Sequence, residues 1–203
     1  MTGNAEPNAD TVPITAATGR WLELAVIGLN LCPFARPIAN AGRIRYAVSR
    51  ARSAADLRDD LIDELRLLVE ADPAEVETTL LIHPWALQDF FAFNDFLAEA
   101  DAVLEELDLA GTVQIASFHP RYQFADTDFE DIENCTNRSP YPTLHLLREA
   151  SIECAVGALA EPASIYRRNI ETLRRLGEAG WKRLQAQFDA DRVADDAPDC
   201  ESG

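Results

Sequence analysis

Along this chain the apolar positions switch between a spacing of three to four and a spacing of two, the mark of helices alternating with strands. Trp21, Leu24 and Gly28 recur at helical spacing and predict a first helix over 15–29. RIRYAVS (43–49) alternates Ile44, Tyr46 and Val48 with polar partners and predicts a strand. Ser53 and Asp56 resemble a capping box, and Leu57, Leu61, Leu65 and Leu68 then line one helical face until Asp72-Pro73 stops the helix. ETTLLIHP (77–84) predicts a second strand ended by proline. Phe90, Phe93, Leu97, Ala100, Leu104 and Leu107 fall 3, 4, 3, 4 and 3 apart, predicting a helix over 87–109 capped by Gly111. TVQIASFHP (112–120) predicts a third strand. A long stretch without periodicity follows, and then two helices near 142–159 and 162–187, the second opening at Pro162.

This order predicts the α/β class: a single layered domain whose small, mostly parallel sheet has three strands, with room for a fourth, flanked by helices. The domain spans 13–188, and 203 residues suit one domain. Residues 1–12 are polar and read as a flexible N-terminal arm. Residues 189–203 carry six acids against Arg192 and read as a disordered acidic tail. Overall, 35 acidic and 18 basic side chains leave a net charge of −17. That balance argues against nucleic acid and against anionic membrane surfaces. No apolar run approaches the ~20 residues of a spanning helix, and the first ten residues lack the features of a secretion signal. Cys32, Cys135, Cys154 and Cys200 follow no disulfide or zinc spacing, which fits reduced thiols in a cytoplasmic protein.

A partial internal repeat points to candidate chemistry. The second and third strands end in TLLIHP and IASFHP, so His83-Pro84 and His119-Pro120 stand at equivalent places, 36 positions apart. In open α/β sheets ligands bind beyond the carboxyl ends of strands. Were the two strands neighbours, their ends would lie about 5 Å apart and two imidazoles could share one substrate or ion. A histidine at a strand end also serves simply to hold a loop carbonyl, and both roles stay open. Cys32, extended before Pro33, could be a nucleophile beside an imidazole, a soft metal ligand, or a small apolar group in the core.

The stretch after His119 has the length of a lid or binding loop. Its carboxylates Asp126, Asp128, Glu130, Asp131 and Glu133 read as a solvated run. Asn137, Arg138 and Ser139 precede the helix predicted from 142, where a helix N-terminus and a planar guanidinium would suit an anion. An N-cap network is the alternative. His145 falls beside the Leu144/Leu147 stripe of that helix, and Arg148 could pair with a loop acid.

The segments LNLCPFA, HPWALxDFxxFNDFL, QIASFHPxYQFADT, TNRSPYPTLHLLREAS and RRNIETLRRLG resemble a bacterial domain-of-unknown-function family, number 1415. The resemblance spans about residues 15–180, and it implies no activity. The family pattern implies an aromatic residue where this chain has Cys135, which makes Cys135 a poor candidate for essential chemistry.

Two functions follow from the residues. One is an enzyme, a hydrolase or group transferase acting on a small anionic molecule. Cys32, His83 and His119 would be its catalytic groups, or the ligands of a zinc or iron ion, and Asn137, Arg138, Ser139 and His145 would bind substrate. The other is a non-catalytic module that binds a metabolite or metal and meets a protein partner or a second copy. Nucleotide-binding motifs are absent, and a single lysine, Lys182, leaves little basis for Schiff-base chemistry.

Overall fold

The computed structural model describes residues 10–157 and 164–190. Its element order is α1 (Val12–Trp21), a π-helical turn (Leu22–Ile27), α2 (Ala35–Asn40), β1 (Ile44–Val48), α3 (Ala54–Glu70) and β2 (Thr78–Ile82). Then come α4 (Phe90–Glu106), β3 (Val113–Phe118), a short 3₁₀ helix (Ile132–Thr136), β4 (Thr143–Arg148), α5 (Glu149–Gly157) and α6 (Ser164–Asp189). Pro162 and most of the predicted arm and tail lie outside the described residues. α1 already starts at Val12, with Pro13 in its first turn.

The fold is α/β, but the sheet is mixed rather than mostly parallel, with order β1-β2-β4-β3. β1 and β2 pair parallel, while β4 lies antiparallel to both β2 and β3. The segment that interrupts the expected topology is TLHLLR, predicted as the start of a helix. As a central strand it buries Leu144 and Leu146 on one face and Thr143 on the other. A short run of leucines satisfies a helix and a two-faced strand equally well, and strand pairing decided between them.

Helices cover both faces. Leu57, Leu61, Leu65 and Leu68 of α3, none of them exposed, pack with Phe93, Phe96 and Val103 of α4 against Ala47, Leu81, Val113, Leu144 and Leu146. Each fully buried leucine stabilises by roughly 1.5–3 kcal/mol relative to an exposed one. α3 is capped by Ser53, whose hydroxyl accepts the Asp56 N–H at 3.1 Å. Its other end is held by Arg148, which donates to the carbonyls of Leu68, Ala71 and Val76 rather than to a loop acid. On the opposite face lie Ile14 and Ala17 of α1 with Leu80 and Ile82. Beside them a second cluster joins Trp21, Ala25 and Val26 to Leu173, Trp181 and Phe188 of α6. The π-helical turn requires Gly28, where a Cβ would stand 2.2 Å from the Leu24 carbonyl oxygen. α6 is broken at Gly177, whose φ of 69° suits glycine.

Candidate functional site

His83 and His119 do leave the sheet at the same rim and on the same face, but β4 separates their strands. Their β2 and β3 frames are therefore two strand spacings apart, about 10 Å, rather than one. The shared element is Phe93 of α4. His83 stacks on its ring at 5.7 Å between centroids and His119 lies 5.1 Å away. Neither histidine is exposed.

Both rings hold the turn that leads into α4. His83 Nδ1 lies 3.0 Å from the Ala86 carbonyl, and His119 Nε2 lies 3.3 Å from the Leu87 carbonyl. The Arg121 N–H donates to His119 Nδ1 at 3.0 Å, so His119 carries its proton on Nε2. By the same logic His83 carries its proton on Nδ1. Its Nε2 is buried without a protein partner. Leu87 takes a positive φ of 54°, which a bulky residue adopts only when its surroundings enforce it. Gln88 donates to the Pro84 carbonyl, and Asp89 caps α4 by accepting the Ala92 N–H. The motif HPWALQD is thus a tied turn. Burial lowers both imidazoles to about pH 4, so they are neutral at physiological pH.

The other predicted site residues do not join them. Cys32 packs on the far face, beside the cluster of Trp21, Val26 and Cys135. Burial raises its thiol pKa, against what a nucleophile needs. Cys154 is exposed on α5, so alkylation by iodoacetamide at pH 7.5 should modify Cys154 several-fold faster than Cys32. Mass-resolved labelling checks this, and faster labelling of Cys32 would restore it as a nucleophile. His145 lies in β4 rather than a helix. Its Nε2 is 2.7 Å from Thr78 Oγ1 on the face away from His83, and burial holds it at about pH 4. Among the described residues no three His, Cys, Asp or Glu side chains are grouped to hold a metal ion.

The anion pocket expected around Arg138 is not formed. The helix N-terminus it needed is the strand β4. The guanidinium donates to the carbonyls of Tyr122 and Phe129 and lies 4.5 Å over the Phe129 ring. Asn137 donates to the Ser117 carbonyl and Ser139 to the Tyr141 carbonyl. The organiser of this loop is Asn134, which sequence analysis passed over. Fully buried, it accepts from Phe124 N–H and Thr127 Oγ1 and donates to the carbonyl of Asp128. Nothing in the composition of the loop distinguishes Asn134 from its polar neighbours, because only the folded loop closes around it.

An open cleft of about 630 Å³ lies elsewhere on the strand-end rim, between β1 and α3. Ala47, Ala51 and Leu81 form its apolar floor. The wall on α3 carries Asp56, Asp60, Asp63 and Glu64, and Arg50 and Arg52 also border it. Ser49 donates to Asp60 at 2.5 Å, and Arg45 binds Glu64 through two hydrogen bonds. The cleft exists because alanines occupy 47 and 51, where longer side chains would reach α3.

A family model described as a protein of unknown function, DUF1415, matches residues 13–183. The chain belongs to the DUF1415 family. No curated protein and no solved structure matches it. The matched span includes the tied turn, the Asn134 loop and the cleft, so all three belong to the DUF1415 domain itself. No described helix is long and apolar enough to cross a membrane.

Proposed function

We propose that this DUF1415 chain is a non-catalytic binding module whose binding site is the cleft between β1 and α3. The observation that carries this is the contrast along one rim: the histidines are closed into hydrogen-bonded turns, whereas the cleft at the carboxyl end of β1 is open. Its volume falls in the ~300–1,000 Å³ range of small-ligand sites, and its place matches the crevice outside strand ends where α/β sheets take ligands. With Glu64 bound by Arg45, the remaining Asp56, Asp60 and Asp63 against Arg50 and Arg52 favour a ligand with positive groups over the small anion that Arg138 suggested. A Cys/His nucleophile at the rim would need Cys32 beside an imidazole, and Cys32 lies across the sheet.

A thermal-shift screen of amines, amino acids and short peptides tests the proposal. A ligand at about 100 times its Kd adds about 2.7 kcal/mol, which raises Tm by roughly 5–10 °C in a domain of this size. The shift should vanish in an Asp56→Lys/Asp63→Lys variant, since both side chains are exposed and the exchange leaves the core intact. A screen with no shift, or a shift unchanged in the variant, overturns the assignment.

A further inference from the structure

We infer that the cleft takes an extended peptide with basic side chains at alternate positions, added as a fifth strand along β1. This rests on the cleft being the binding site and names what fills it.

β1 is the edge of the described sheet. In its parallel pairing with β2, the backbone groups of Arg43 and Ser49 face β2: the Glu77 N–H donates to the Arg43 carbonyl, and the Ser49 N–H to the Ile82 carbonyl. Strand alternation then turns the N–H and C=O of Ile44, Tyr46 and Val48 outward, with no backbone partner among the described residues. A row of such groups is a template for another strand. Val48 and Arg50 line the cleft itself, so the open edge and the cavity are continuous.

The helix beside that edge supplies the selectivity. Asp56 and Asp60 stand four residues apart along α3, a rise of about 6 Å. Alternate side chains of a strand repeat at about 6.6–6.8 Å. An added strand can therefore place two successive lysine or arginine groups opposite Asp56 and Asp60, slipping less than 1 Å. The positive groups on β1 do not oppose this. Arg45 is held by Glu64 and Arg43 by Glu77, and Arg52 lies over the Trp85 ring at 5.8 Å. Arg50 remains at the mouth, which favours a basic residue only deeper in the cleft.

The test uses the full chain and a capped eight-residue peptide alternating lysine and threonine, titrated calorimetrically at about 0.15 M salt to screen nonspecific attraction. Two further peptides carry N-methyl groups on the lysine amides or on the threonine amides, each keeping the charge. Strand addition predicts saturable binding, at least tenfold weaker for one methylated peptide and little changed for the other. It predicts a similar loss in Val48→Pro, which removes one outward N–H and none that pairs with β2. Hydrogen exchange at the Ile44, Tyr46 and Val48 amides should slow at least tenfold when the peptide binds, a readout that does not depend on any variant folding. Equal binding by all three peptides, lost in Asp56→Lys/Asp63→Lys, would overturn strand addition and leave the cleft as a binding site. No peptide binding while a screened amine is sensitive to Asp56 and Asp63 would do the same. No ligand sensitive to those residues would overturn both.

Discussion

Urea unfolding at pH 7.5 and pH 5.5 is expected to differ by several kcal/mol, because three imidazoles, two of them buried and His145 part-buried, favour the neutral form in the folded domain. Burial holds His83, His119 and His145 at about pH 4, below the ~6.5 of an unfolded histidine. Below pH 6.5 the unfolded chain therefore binds more protons, and stability falls as pH drops from about 6.5 towards 4. Each ring contributes a loss of roughly 1–2 kcal/mol at pH 5.5, and more as the pH falls towards 4. Ordinary carboxylates titrate mainly below this upper interval, so the step from pH 7.5 to 5.5 isolates the histidines. His83→Asn keeps a donor for the Ala86 carbonyl while removing the titration, and should reduce the step by about one histidine's share. Stability that stays level between pH 7.5 and 5.5 would mean that these rings are hydrated, and the closed rim would have to be abandoned.

The second large effect is expected at Asn134. Replacing it with alanine leaves the Phe124 N–H without its acceptor and frees the Asp128 carbonyl, inside a loop where no water reaches Asn134. Each unsatisfied buried polar group costs about 1–3 kcal/mol, so Asn134→Ala should lose roughly 3 kcal/mol. The loss should appear first as faster hydrogen exchange in 120–139, since this network ties the loop to itself. Asn137→Ala loses its bond to the Ser117 carbonyl and that from the Thr136 hydroxyl, which keeps the Glu133 carbonyl as partner, and should lose only about 1 kcal/mol. Equal effects at both positions would mean that Asn134 is not the organiser.

Most elements were legible along the chain because their signals are local. The Ser53 cap, the leucine face of α3 and the proline stops after β2 and β3 each depend on residues within a few positions. Three elements were not, among them the 3₁₀ helix Ile132–Thr136 in the stretch without periodicity. α2 follows Pro33 in a six-residue turn too short to show a period. β4 buries residues on both faces, and its leucines serve a helix as well as a strand. The apolar spacing predicts α4 from 87, three residues before its start at Phe90, because it continues through Leu87, which the tied turn holds at positive φ.

The candidate site divides in the same way. Both histidines stand where a strand ends, as the repeated motif indicated, and they share a face. A segment 24 residues beyond His119 sets their distance: β4 enters between β2 and β3, and His83 and His119 hold carbonyls of the α4 turn. Cys32 could not be assigned a face from its neighbours in sequence, because the face depends on where α1 crosses the sheet.

By itself the sequence determined the class of fold, most helix and strand positions, the acidic charge and the strand-end location of both histidines. These follow from side-chain spacing, which acts over one or two turns. Strand order, the face on which each candidate lies, the use of Arg138 and Asn134 within the loop, and the open cleft beside β1 were decided by tertiary structure. They depend on which distant segments compete for the same backbone groups and the same buried space, and no local pattern records the winner.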